Sequence, residues 1–205
     1  MKDRCYAALF DKKDLSLISK FARKVRATMA YDIKHNIEHE ATLTDEFFSN
    51  CEKKWNDHNP TFEVDSKQIQ FLQVSKADDL AVNSGIQQYL DLILGVSGSR
   101  YFYVGKGTST VAPTVAQTAL QAEVLPRVDT TYFGWREVAG VTLRFAGQFG
   151  ESLPSITVNE SGVFNATSAG IMFMRNMFSN DAINHTANYT GFILASIIEL
   201  VPTLA

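Results

Sequence analysis

His35 and His39 stand four residues apart, a spacing that sets two imidazoles on one side of a helix; with Cys51 or His58 they could supply nitrogen and sulfur ligands to zinc. Glu38 precedes His39 rather than following His35, so the metalloprotease helix pattern fails and a polar helix face is the plainer reading. Gly95-Val96-Ser97-Gly98-Ser99 approaches the turn that presents a nucleophilic serine, but Ser99 replaces the closing glycine. All histidines except His185 lie in the first 58 residues, which leaves little to act as its base. Val104-Gly105-Lys106-Gly107-Thr108 resembles a phosphate loop only in part: Arg100 stands where the leading glycine belongs, and Gly107 where a magnesium-binding hydroxyl belongs. A strand end followed by a turn explains it better. Glu123 and Arg127 are four apart, and Glu160 and Arg175 flank a later turn; in a region so poor in charge these four read as structural ion pairs. No spacing forces Glu123 and Glu160 into one cleft, as acid–base work would need. The expectation is a protein that is not an enzyme and uses neither cofactor nor metal.

The elements that would carry these residues divide near residue 98. Ile18, Phe21, Val25 and Met29 recur at helical spacing with Asp11 or Asp14 before them, which predicts an amphipathic helix whose stripe docks on a neighbouring subunit. Lys20, Arg23, Lys24 and Arg26 fall off that stripe and read as a solvated face. A second helix is predicted from about Thr44 to Trp55, with Phe48, Cys51 and Trp55 on one face and Thr42 or Thr44 as cap, stopped before Pro60. Residues 61–75 turn extended, and Ile86, Tyr89, Leu90 and Ile93 return to helical spacing ahead of Gly95.

From Tyr101 onward the pattern is that of strands. Thr130–Val138 is rich in Thr and aromatic residues and is joined through Ala139-Gly140 to a segment in which Val141, Leu143, Phe145, Gly147 and Phe149 share one side. The pair reads as a hairpin whose second strand is half buried. Further strands are predicted over Ile156–Val158, Gly162–Asn165, Ile171–Phe178 and Asn188–Leu200. The fold expected is α+β: a mainly helical anchor over 1–98 followed by an antiparallel β-sandwich over 99–205.

Charge follows the same division. Residues 1–100 hold 14 Lys/Arg and 15 Asp/Glu, whereas residues 101–205 hold 5 and 7. A net charge of −3 gathers neither nucleic acid nor anionic lipid, and a β region this sparsely charged suits packing against neighbours. No apolar run is long enough to span a membrane, and no export signal opens the sequence, so the four sequons at Asn159, Asn165, Asn184 and Asn188 read as an Asn/Thr-rich β surface. Cys5 and Cys51 read as thiols, able to pair only if they meet in space.

In order and spacing, Tyr103-Val104-Gly105-Lys106-Gly107-Thr108, then Thr118-Ala119-Leu120 with Glu123 and Arg127, then Asn159-Glu160-Ser161-Gly162-Val163-Phe164, then Gly170-Ile171-Met172-Phe173-Met174-Arg175 with Phe178 resemble a β-sandwich domain of virion structural proteins of tailed bacteriophages. Lys106 departs from the pattern, where a small or polar residue is more familiar, and the first half lies outside the resemblance. The likeness implies a non-enzymatic virion component, made in the host cytoplasm and placed in the neck, tail, baseplate or fibre, with other virion proteins as partners and a homo-oligomeric arrangement. Capsid decoration is the alternative, as is a glycan- or receptor-binding sandwich in which Tyr132, Trp135 and Tyr189 stack on sugar.

Overall fold

Lys2–Asp11 forms a strand, β1, that alternates Tyr6, Ala8 and Phe10 to one side with Cys5, Ala7 and Leu9 to the other. All six are buried, so this strand lies between two layers rather than at a surface. A computed structural model describes residues 2–56, 58–87, 103–140, 142–150, 153–178, 181–187 and 190–199. After β1 come helices α1 (Leu15–His35) and α2 (Thr42–Trp55), then β2 (Thr61–Val64) and the 15-residue β3 (Lys67–Ala81). The second half supplies β4 (Tyr103–Gly107), β5 (Glu123–Asp129), β6 (Gly134–Ala139), β7 (Thr142–Phe149), β8 (Ile156–Val158), β9 (Glu160–Phe164), β10 (Met172–Met177), β11 (Ile183–His185) and β12 (Thr190–Glu199).

The α+β class stands, and the sheet is β-sandwich-like. Its order is β5-β4-β9-β10-β3-β1-β12-β7-β6, with β2 added on β3 and a separate β8–β11 ribbon; the pairs are antiparallel. The two halves of the sequence interleave, which corrects the expected mainly helical first half. β1 sits between β3 and β12, and β3 reaches successively along β2, β1 and β10. An alternation read only for helical period hides β1, because a strand buried on both faces carries no polar side. The boundary expected at residue 98, the helix expected on Ile86–Ile93 beyond residue 87, and the Gly95–Ser99 turn lie outside the described residues.

The sheet curls so that β4 crosses over β7. A Cβ on Gly147 would come within 2.8 Å of the Val104 Cβ, which makes glycine a requirement of that crossing. Between the two layers sit Val104, Phe149, Phe178, Ile183, Phe192 and Leu194.

The helices cover the opposite face. Ile18, Phe21 and Val25 are buried in this chain's own core with Phe47, Phe62 and Trp135, and Met29 is half-buried. The expected docking stripe therefore has no free face to offer a neighbour: the strands beneath it expose enough apolar surface to consume it. Phe21 meets Phe62 and Trp135 edge-on, with ring centroids 4.8 and 5.3 Å apart, and Phe47 meets Trp135 in the same way at 5.2 Å. Trp135 is fully buried, so it cannot stack on a sugar. Helical cover also corrects the half-buried reading of β7: Arg144, Phe145, Ala146, Gly147 and Phe149 are all buried, on both faces.

Local signals set the ends of these elements. Asp11 accepts from the Lys13 N–H and caps a short 3-10 turn ahead of α1. Asn36, left-handed at φ 53°, stops α1, and the Asn36 and Ile37 N–H groups close on carbonyls of its last turn. Asp65 and Ser66, both at positive φ, make the two-residue turn that joins β2 to β3. The apolar stretch from Phe192 is held on both sides through residue 199 by β1 and β7.

Candidate functional site

The residues with chemical potential gather in four places. The first is built on β4, where Gly105 and Gly107 leave room for carboxylates: a Cβ at these positions would lie 3.0 Å from the Glu123 carboxylate and 2.4 Å from that of Glu160. The Val104–Thr108 segment is thus a strand through Gly107 and not a turn, paired with β5 and β9 at once. Glu160 and Arg175 are both fully buried and meet at 2.7 Å. The Glu160 carboxylate also accepts from the Ala122 N–H at 2.7 Å and the Gln121 N–H at 3.3 Å, while Arg175 donates to the Gln117 side-chain oxygen and the Val111 carbonyl, both at 2.8 Å. This pair clamps the irregular segment between β4 and β5. Arg127 takes Glu123 in a two-pronged bond of 2.5 and 3.0 Å, lies 3.4 Å over the Phe164 ring, and donates to the Ala166 and Ala169 carbonyls, so it fixes the turn after β9. Leu120 fills the space against Gly162. Glu123, Arg127, Glu160 and Arg175 thus belong to one connected unit, with both carboxylates spent on guanidiniums and backbone.

Lys106 points away from this unit and is fully buried. Its ammonium donates to the Val124 carbonyl at 3.0 Å and the Pro126 carbonyl at 3.4 Å, and lies 4.6 Å from the Phe149 ring centroid. Burial pushes its pKa down to about 8 against the opposing pull of Glu123.

The third place is where the α1–α2 connection meets β6. The His39 Nδ1 lies 2.7 Å from Asp32 and its Nε2 2.7 Å from Glu137. Carboxylates only accept, so both ring nitrogens donate and the ring is an imidazolium. Burial opposes that charge, yet the bonds to Glu137 and Asp32 outweigh it and the pKa is raised. The second Glu137 oxygen accepts from the Thr44 hydroxyl and faces Arg144 at 3.5 Å; Arg144 also bonds Asp45. Nothing nearby in sequence pointed to this network. Its signal lay in composition: of the five Lys/Arg after residue 100, Lys106, Arg127, Arg144 and Arg175 are buried, so each charge in that half has a reason for being there.

The fourth is a cleft of about 280 Å³ lined by Arg4, Tyr6, Asp45, Phe48, Ser49, Glu52 and Arg144. Glu52 accepts from Tyr6 and from Lys76 at 2.8 and 3.0 Å. Burial and Glu52 push the Tyr6 phenol well up, so it is no base near neutral pH. Ser49 has no histidine beside it in this lining, and the charge of Arg4 helps to hold the Glu52 carboxyl down.

The zinc candidates stay apart. His35 stacks on Tyr31 with centroids 4.0 Å apart and bonds the Tyr31 carbonyl, and His39 is held by carboxylates. Cys51 is buried in the helix-covered core, where its thiol is pushed well up by burial, and Cys5 belongs to the other core, so the two do not meet as a disulfide. Among the described residues no group of three or more such side chains could hold a metal ion, and no helix is long and apolar enough to cross a membrane. Tyr132 is exposed and Tyr189 lies outside the described residues. No protein-family model matches this chain, and no curated protein matches it.

Proposed function

We propose that this chain is a structural component of a tailed-phage virion, in the neck, tail, baseplate or fibre attachment, acting through contacts with other virion subunits. The observation that carries the reading is the convergence on β4: the residues behind the sequence resemblance, Gly105, Gly107, Leu120, Glu123, Arg127, Glu160, Gly162 and Arg175, pack into one unit. Their polar atoms are used to fix two long irregular segments, which is the work of a scaffold. Mass spectrometry of purified particles from a phage encoding this chain tests it: a fixed copy number per particle is expected, and absence from the particle overturns it.

Capsid decoration is the alternative within the same class, and imaging of labelled particles separates head from tail. A glycan-binding reading keeps one observation in its favour, the exposed neighbours Tyr132 and Phe133 ahead of β6. It requires saturable binding to an oligosaccharide array that is lost in Tyr132→Ala.

A further inference from the structure

Between Val25 and Ala41 not one side chain is fully buried. The last ten residues of α1 run beside β6, an edge strand of the sheet, and touch the body through Arg26 on the Gly134 carbonyl and through the Asp32–His39–Glu137 link. Held in this way, the elbow between α1 and α2 leaves three large apolar side chains in solvent: Tyr31, Ile33 and Ile37 are 57%, 63% and 51% exposed. Packing does not require them there, since the apolar stripe of α1 is already complete at Val25.

Charge on this elbow is sorted by sign. Residues 12–35 carry seven Lys/Arg against two acids, whereas residues 36–46 carry four acids and no Lys or Arg. Arg23, Lys24 and Lys34 on one flank make no salt bridge among the described residues, and neither do Glu38, Glu40 and Glu46 on the other. Basic residues thus predominate along α1 and acidic ones on the connection and the start of α2, with an apolar centre, Ile33 and Ile37 around Lys34, at the junction between them. A surface of that kind complements itself: a two-fold axis through the apolar centre lays the cations of one copy over the anions of the other, and apolar against apolar.

We propose that the α1–α2 elbow is a two-fold interface between copies of this chain, centred on Ile33 and Ile37. The proposal deepens the assembly reading and rests on it for its setting in a particle, but it is tested on the isolated chain. Sedimentation velocity of the full chain at low salt is expected to show a dimer that weakens as salt rises. Ile33→Glu with Ile37→Glu is expected to weaken dimerisation at least about tenfold, with an unchanged melting curve because both positions are exposed. Lys24→Glu/Lys34→Glu and Glu38→Lys/Glu40→Lys are each expected to be monomeric alone, because one flank loses or reverses the charge that complements the other. Mixed together they are expected to dimerise with each other, and adding Ile33→Glu to either is expected to abolish that pairing.

A dimer that persists in all these variants overturns the elbow interface while leaving the assembly reading intact, since association would then use another face. A wild-type chain that stays monomeric at hundreds of micromolar overturns the interface as well. The assembly reading falls separately, when the particles lack the protein.

Discussion

The second half of the sequence buries two glutamates beside arginines, and the two pairs are finished differently. Glu160 and Arg175 lie close together in sequence, on neighbouring strands β9 and β10, and every charged atom is met by a guanidinium, a backbone N–H or a carbonyl. Glu137 and Arg144 face each other across the β6–β7 hairpin, but their remaining bonds come from His39, Ala41, Thr44 and Asp45, roughly a hundred residues earlier. The first pair secures loops within the sheet. The second attaches the helical layer to the sheet, and one of its members, His39, has its pKa raised because its bonds to Glu137 and Asp32 outweigh its burial. A closed pair confers stiffness, while an open network makes one layer's attachment depend on conditions.

The largest effect is expected from breaking the closed pair. Arg175→Ala leaves Glu160 buried with only two backbone donors and should cost about 3–5 kcal/mol in urea unfolding. Arg175→Met combined with Glu160→Gln should recover much of that loss. If the single and double variants are equally destabilised, the loops rather than the charge set the cost.

Next is Lys106, whose pH dependence should oppose that of the open network. Its folded pKa of about 8 lies below the ordinary lysine value, so between pH 8 and 10.5 the unfolded chain binds more protons. Stability therefore rises with pH across that window, by up to about 3 kcal/mol from this group. The rise should be absent from Lys106→Met, whose stability at pH 7 should exceed that of the native chain.

Glu137→Gln should cost less than Arg175→Ala, about 2 kcal/mol, because Arg144 keeps Asp45 and Thr44. Differential scanning calorimetry against Arg175→Ala orders the two. The smallest change, about 1 kcal/mol, belongs to His39→Gln. The folded pKa of His39 is raised, so its contribution is fully present below about pH 6.5 and is lost as pH rises through the folded value. A stability profile that stays flat over that range in the native chain would remove His39 from any switching role.

Much of the sheet-forming half could be read from sequence because its strands alternate and its turns announce themselves. Ala139-Gly140 marks the β6–β7 hairpin, with Gly140 at φ +54°, and the charged residues that meet at Glu160–Arg175 stand out against a background poor in charge. β1 was not legible, since Cys5-Tyr6-Ala7-Ala8-Leu9-Phe10 has no polar face to set its period. Trp135 looked like a loop aromatic because nothing in Thr130–Val138 indicates that two helices from the first third lie on top of it. The same helices explain the docking stripe: amphipathicity shows that Ile18, Phe21 and Val25 are covered, but not by what. The His39 link was closed to sequence reading because all its partners except Asp32 are distant or on another layer.

The pairing of β1 with β12 joins Lys2 to Glu199 and Asp11 to Thr190. Neighbours at the middle of the sheet thus stand very far apart in sequence, and closing so long a loop is entropically slow. While the ribosome is still making residues 190–199, β1 has one of its two flanking partners missing and two apolar faces to shelter. Of the described strands the one made last is the one that completes the centre, so the middle of this sheet closes only once residues 190–199 have been made.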